Sequence, residues 1–288
     1  MRVGEDREVV RRDENGHRLD DLRRLEKLRI MDDDFMRCVF RDRPDLVQGV
    51  LRTITGIGDL ELTSMETQRD MRRLAGARSL ELDVWGTDGD GTQYDMEVQR
   101  GDDANPRRAR YHGSCMDVEA LKRGKDFSEL PERWVIFITE QDVLGGGAAT
   151  HLFESREAGG FPLRDGAHTL YVNGEYRGDD PIGRLMSDFC QSDPSKMYDK
   201  GLAERVRYYK EDPKGVSQMC EIFDQVRNEG VAQGVKQGMA QGMAQGMAQA
   251  IRSLMDTQSV RAETAMDMLG VPAGDRDKYE RLLMSTKA

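Results

Sequence analysis

Between Glu81 and Arg100 the chain alternates polar and apolar residues through two short runs, ELDVW and YDMEVQR, separated by GTDGDGTQ. A period of two is the pattern of a strand with one face in a core, and the glycine-rich stretch between the runs is a turn, so the segment predicts a β-hairpin. The first strand begins upstream, in ARSLELDVWG, and DLELTSMETQ before it alternates well enough for a further strand. Ahead of these, MDDDFMRCVF places Phe35, Val39 and Phe40 at helical spacing behind the capping aspartates Asp32 to Asp34. Past Pro44, Leu46, Val50, Leu51 and Ile54 renew that period until Gly56. Downstream, Pro106 opens a helix in which Tyr111, Cys115, Val118 and Leu121 recur every three or four residues, with Gly124 as its stop. RWVIFITEQD is continuously apolar, as a strand covered on both faces must be. The resulting order is α–β–β–β–α–β. THLFES and HTLYVNGEYRG add a second hairpin, and helices follow around Gly183–Phe189 and Leu202–Tyr209.

The first hairpin can be put in register. With Asp83 opposite Glu97, the loop is Gly89-Asp90-Gly91, and Gly91 takes the left-handed position that a three-residue loop requires. A two-residue loop would set Asp83 against Met96 and mix the faces, so the face pattern selects the longer loop. Leu82, Val84, Met96 and Val98 then share one side; Glu81, Asp83, Asp95, Glu97 and Gln99 share the other.

Beyond residue 215 the texture changes. Gly230, Gly234, Gly238, Gly242 and Gly246 recur every fourth residue in VAQGVKQGMAQGMAQGMAQA. On a helix a four-residue repeat drifts about 40° per turn of the pattern, and each interior glycine costs about 1 kcal/mol against alanine. Two forms fit: a long helix held by packing against a second copy, or a flexible spacer. The tail SVRAETAMDMLGVPAGDRDKYERLLM reads as two short helices, with Ser259 as a cap and Gly270 as a stop. The domain plan is therefore a charged tail over 1–29, an α/β domain over 30–215, the glycine repeat over 216–250, and a small helical segment over 251–288.

Composition narrows the function classes. A formal net charge of −10 over 288 residues argues against DNA binding by bulk electrostatics and leaves room only for a local basic face. The four cysteines form no CxxC pair and the four histidines no HExxH spacing, so neither a disulfide framework nor a zinc motif is indicated. No run of 18 apolar residues and no leader-like N-terminus occurs. The chain thus reads as a cytoplasmic protein with no membrane partner, and no glycine-rich phosphate loop calls for a small-molecule cofactor.

The acidic face of the hairpin carries the chemistry. Opposed residues on neighbouring strands lie about 5 Å apart, and like charges so placed repel. Two carboxylates can instead converge on Mg²⁺, which one or two carboxylates plus water and phosphate commonly hold, and such an ion can drive phosphodiester cleavage. The competing reading of the same alternation is a solvated face, the class to which Glu81 and Asp95 are assigned here.

The stretches DDDFMRCVF, ELDVWGTDGDGTQYDMEVQR, PRRARYHGSCMDVEALKRGKDFSEL, WVIFIT and TLYVNG, with the glycine-punctuated helix, together resemble the bacterial PD-(D/E)XK nuclease family transposases, or recombination-promoting nucleases. The resemblance spans about residues 30 to 285. It implies a restriction-endonuclease-like core (αβββαβ, a mixed central sheet flanked by helices) with a helical C-terminal extension. It also implies a Mg²⁺-dependent (or Mn²⁺-dependent) deoxyribonuclease that acts on DNA in recombination or transposition. On this likeness Asp83, Glu97 and Gln99 are catalytic, with Gln99 standing where the superfamily usually has lysine; Asp83 and Glu97 also bind the metal, and the Val98 carbonyl and Asp34 are further metal ligands. Arg100, Arg107, Arg110, Tyr111 and Lys122 would contact DNA, within a cluster that also holds Arg108, Arg123 and Lys125, and the glycine-repeat helix would make a homo-oligomer. A neutral glutamine cannot supply lysine's charge, which leaves Arg100, Arg107 or a second metal to do so. The alternative is a catalytically silent or regulatory member of the fold that works through oligomerisation and binding.

Overall fold

The computed structural model describes residues 11–71, 80–101 and 104–285. Residues 1–10 of the charged tail and 77–79 at the head of ARSLELDVWG lie outside them. The chain divides into two units, Met1–Cys220 and Glu221–Ala288.

The first unit is built on one open, mixed sheet of six strands. These are β1 (Leu62–Asp70), β2 (Glu81–Asp88), β3 (Gln93–Gln99), β4 (Arg133–Thr139), β5 (Thr150–Phe153) and β6 (Ala167–Asn173), in the spatial order β1-β2-β3-β4-β6-β5. β1, β2 and β3 form an antiparallel meander; β3, β4 and β6 run parallel; β5 closes the far edge antiparallel to β6. The parallel β3–β4 step needs a crossover, which α4 (Pro106–Ala120) provides. Helices α1 (Leu19–Lys27), α2 (Asp33–Phe40) and α3 (Pro44–Thr55) precede the sheet, and α5 (Pro181–Cys190) and α6 (Lys200–Glu211) follow it. Val135, Ile136, Phe137 and Ile138 of the central β4 are wholly buried, as the uninterrupted apolar run required.

The hairpin has the expected loop, and the expected register from Val84 and Met96 to the turn, while Asp83 and Glu97 lie beyond the paired residues. Val84 faces Met96 and Trp85 faces Asp95, the Asp88 amide donates to the Thr92 carbonyl at 3.1 Å, and Gly91 has φ 88°. The alternation of faces, however, breaks at Asp83. Arg69, the partner of Leu82, stacks on Trp85 with 3.7 Å to the ring centre, and Leu82 joins Trp85, Val135, Phe137 and Tyr171 in one core cluster. Leu82 and Trp85 therefore share a face three residues apart. The irregularity sits beside Gln68 on β1, whose φ of 57° is off the strand region. The expectation that Leu82 lies with Val84 and Met96 is corrected accordingly.

α4 also turns a different face inward from the one its apolar spacing suggested. Ala109, His112, Gly113 and Met116 are buried, whereas Val118 is 55% exposed, and the helix ends at Ala120, before Gly124. The absence of a side chain at Gly113 admits the Arg133 guanidinium, which a β-carbon would overlap.

The far end of α2 is fastened by Arg205 of α6, whose guanidinium donates to the carbonyls of Cys38, Val39 and Arg41. These are carbonyls that a helix end leaves without intrahelical partners. Arg205→Met is expected to lower stability by about 2 kcal/mol in urea unfolding, since a charged donor to several acceptors is lost. A midpoint equal to wild type would show that water replaces the guanidinium freely.

In the second unit the glycine repeat lies within α7 (Pro213–Gln258), which begins in the first unit. Val231, Val235, Met239 and Met243 are each more than half exposed along it. α8 (Ala262–Met268) and α9 (Arg276–Ser285) form with α7 a small core around Ile251, Ala265, Met266 and Val271. Gly270 follows α8 with φ 68°, while Ser259 is a left-handed turn residue (φ 52°) and Arg261, not Ser259, occupies the N-cap. Among the described residues no helix is long and apolar enough to cross a membrane.

Candidate metal centre

β2 and β3 part at the base of the hairpin, and acidic side chains fill the gap. The paired residues end at Val84 and Met96. Beyond them Glu97 Oε1 accepts the Asp83 amide at 2.9 Å, and Asp83 Oδ2 accepts the Val98 amide at 3.3 Å. Each carboxylate thus takes the place of a ladder carbonyl on the other strand, which is why two acids can occupy the centre of a sheet. Asp83 Oδ1 lies 3.5 Å from Arg37 of α2, and that arginine also pairs with Asp33 at 3.0 Å.

Glu97 is held from the opposite helix. Arg108 of α4 donates through Nη2 to Glu97 Oε2 at 2.9 Å, through Nη1 to Gln99 Oε1 at 3.1 Å, and through Nε to His112 Nε2 at 3.3 Å. Because a guanidinium only donates, His112 Nε2 must accept; the ring proton then sits on Nδ1, which donates to Asp95 Oδ2 at 2.8 Å. Asp95 and His112 have no exposed surface and Glu97 has 1%. Asp95 was expected on a solvated face; burial against His112 corrects that. Its second oxygen, Oδ1, is buried without a hydrogen-bond partner among the described residues.

Such burial shifts Asp83, Asp95, Glu97 and His112 toward their neutral forms. Asp95 is pushed well above the usual carboxylate range by desolvation and by the charge of Asp83. Glu97 is pushed well up by desolvation, then by Asp95 and Asp83. Asp83 is raised by desolvation and by Asp33, and His112 is lowered by desolvation, which keeps the ring neutral. A divalent cation would reverse the acid shifts by neutralising the carboxylates.

Among the described residues one group of side chains is close enough to share such an ion. Ligand atoms of Asp95, Glu97 and His112 all lie within 4.8 Å of one another. Ligation through Nδ1 would move the ring proton to Nε2 and point it at the Arg108 Nε–H, two donors face to face. A site made of carboxylate oxygens alone would avoid that conflict.

Asp34 is 3.7 Å from Arg24 of α1; the α2 acid whose field reaches Asp83 is its neighbour, Asp33. Arg100 pairs with Asp32 at 2.6 Å and Glu140 at 3.3 Å. Arg107, Arg110 and Lys122 are exposed, and Tyr111 is half-buried. Val98 enters the centre through its amide. Arg108, grouped with the outer basic cluster on sequence, is turned inward, and His112 and Arg37 carried no role there. The available signal was the four-residue spacing of Arg108 and His112, which puts both on one helix face.

Fold and site together define an α/β protein with a buried acidic centre, crossed by an arginine, where two strands of a mixed sheet diverge. No family model matches the chain, and no curated protein or solved structure matches it either.

Proposed function

We propose that the chain is a divalent-metal-dependent DNA endonuclease of the PD-(D/E)XK type, in the ExQ form of the transposase family it resembles, with Mg²⁺ or Mn²⁺ as its cofactor. The observation that carries this reading is the reciprocal Asp83–Glu97 bracket, 2.9 and 3.3 Å, within an α–β–β–β–α–β order. Asp83 and Glu97 would hold the ion, which when bound supplies charge neutralisation and polarises a phosphate oxygen. The side chains of Glu97 and Gln99 orient the attacking water. Hydrolysis forms one bond from water oxygen to phosphorus and breaks one P–O ester bond; the water's proton passes to solvent and the leaving oxygen is protonated from solvent. Exposed Arg107, Arg110 and Lys122 on and just after α4 provide backbone contacts to DNA. Titrating Mg²⁺ or Mn²⁺ into wild-type protein with supercoiled plasmid should produce nicked or linear DNA, and intact plasmid at every metal concentration overturns the reading.

The hold of Arg108 on Glu97 also supports a second reading, a catalytically silent member that binds DNA. DNA binding that survives Asp83→Ala, with no cleavage of any substrate, would favour it.

The exposed Val and Met positions along α7 support a homo-oligomeric partner role for the glycine repeat. Deleting 230–250 is expected to lower the sedimentation coefficient to that of a single chain while leaving the 30–215 domain folded. An unchanged assembly state would remove the repeat from the interface.

A further inference from the structure

We infer that Arg108 supplies the positive charge beside the acidic centre that the neutral Gln99 cannot, and that Gln99 is matched to it. The inference rests on the nuclease reading for its catalytic meaning and on geometry for its placement. Arg108 Nη1 and Nη2 reach Gln99 Oε1 and Glu97 Oε2 at 3.1 and 2.9 Å, so the guanidinium occupies the space beside the acidic centre. Lysine has no acceptor. An ammonium at position 99 would set a second cation against Arg108, whereas the glutamine oxygen accepts its N–H.

The arginine is placed, not merely nearby. Its Nε is bonded to His112, His112 is bonded to Asp95, and its guanidinium carbon lies 5.6 Å from the centre of the Phe137 ring. Asp95 and His112 are fully buried, while Arg108 keeps 28% of its side chain exposed, so the anchor is inside and the charged end can meet a substrate. A planar guanidinium fork is the side chain best shaped for two phosphate oxygens. Arg108 thus contacts the phosphodiester as a catalytic residue and offsets the negative charge gained during attack. His112 and Asp95 are positioning residues.

The test is a charge-exchange cycle on the full-length chain: Arg108→Gln, Gln99→Lys, and both together. Plasmid cleavage with Mn²⁺ should fall about 10²–10³-fold in Arg108→Gln, the usual loss on removing one donor to a developing charge. It should fall in Gln99→Lys as well, and return to within about tenfold of wild type in the double variant, because a single cation again stands beside Glu97. Free guanidinium should restore Arg108→Ala and leave Gln99→Lys unchanged. A full rate in Arg108→Gln, or a double variant no faster than either single one, overturns the inference. The same cycle is read as melting temperature without metal or DNA: Gln99→Lys should melt lower and the added Arg108→Gln should restore it. Additive shifts in the melts overturn the pairing. Wild-type protein that never cleaves, beside non-additive melts, removes the nuclease reading and leaves the pairing in place.

Discussion

Under the proposed nuclease function, Glu97→Gln is expected to abolish metal-dependent cleavage, a loss on the order of 10³-fold or more, and, whatever the function, to raise the melting temperature of the metal-free protein. The two effects have one cause. Glu97 is 1% exposed and stands among Asp95 and Asp83, so its ionised form is disfavoured by burial first and by those charges second. An amide imitates the protonated acid. It retains an oxygen for the Asp83 amide, while its NH2 replaces the oxygen that accepts from Arg108. The gain from removing a buried charge is reduced by that lost acceptor, and Arg108 is left with Gln99 and His112. The folded chain binds the Glu97 proton more tightly than the unfolded chain, so wild-type stability falls as pH rises from the unfolded carboxylate value, about 4.3, toward the raised folded value. The advantage of the variant is accordingly absent at and below about pH 4 and grows above it. Melts across pH 4–8 measure this directly. A variant that is inactive yet less stable than wild type throughout would mean that the carboxylate serves the fold. A gain in stability with loss of cleavage is the mark of a residue kept for its chemistry at the expense of folding free energy.

How much of this was legible in the sequence depends on whether the signal is local. The loop Gly89-Asp90-Gly91 and the pairing of Val84 with Met96 followed from alternation and from the need for a left-handed glycine, both of which lie inside the hairpin. The break at Asp83 did not follow, because its counterpart is Gln68 on a neighbouring strand and no pattern within β2 reports a positive φ on β1. Asp95 was misassigned for a different reason. Hydropathy marks an aspartate as surface, and only the partner 17 residues later, His112, makes burial possible. The same pair rotates α4: spacing of Tyr111, Cys115 and Val118 pointed to one face, while a buried polar histidine and a glycine receiving Arg133 define another. Once that face is known, Arg108 follows one turn before His112. The order of elements was thus readable from periodicity, and the inward arginine was not, since its direction is set by a hydrogen-bond network between elements.

His112→Phe is expected to cost about 3 kcal/mol, more than its change in volume accounts for. Phenylalanine keeps an aromatic ring against Phe137, whose centre lies 5.6 Å from that of the imidazole, so apolar packing is largely retained. What is lost is the 2.8 Å bond to Asp95, whose other oxygen already has no partner among the described residues, and the acceptor for Arg108 Nε. A carboxyl group with no exposed surface would then lose its imidazole donor, and removal of one partner exposes the desolvation cost of the other. Removing both partners avoids that penalty. Asp95→Val together with His112→Phe should therefore recover most of the loss and end within about 1 kcal/mol of wild type. Urea unfolding of the two single variants and the double variant gives the coupling directly. Cleavage separates the two duties of the pair: the double variant should be folded yet slow, with kcat reduced and KM little changed, because Arg108 has lost the anchor that aims it. A double variant as unstable as His112→Phe would place the cost in packing, and one that is both stable and fully active would remove His112 and Asp95 from the positioning of Arg108.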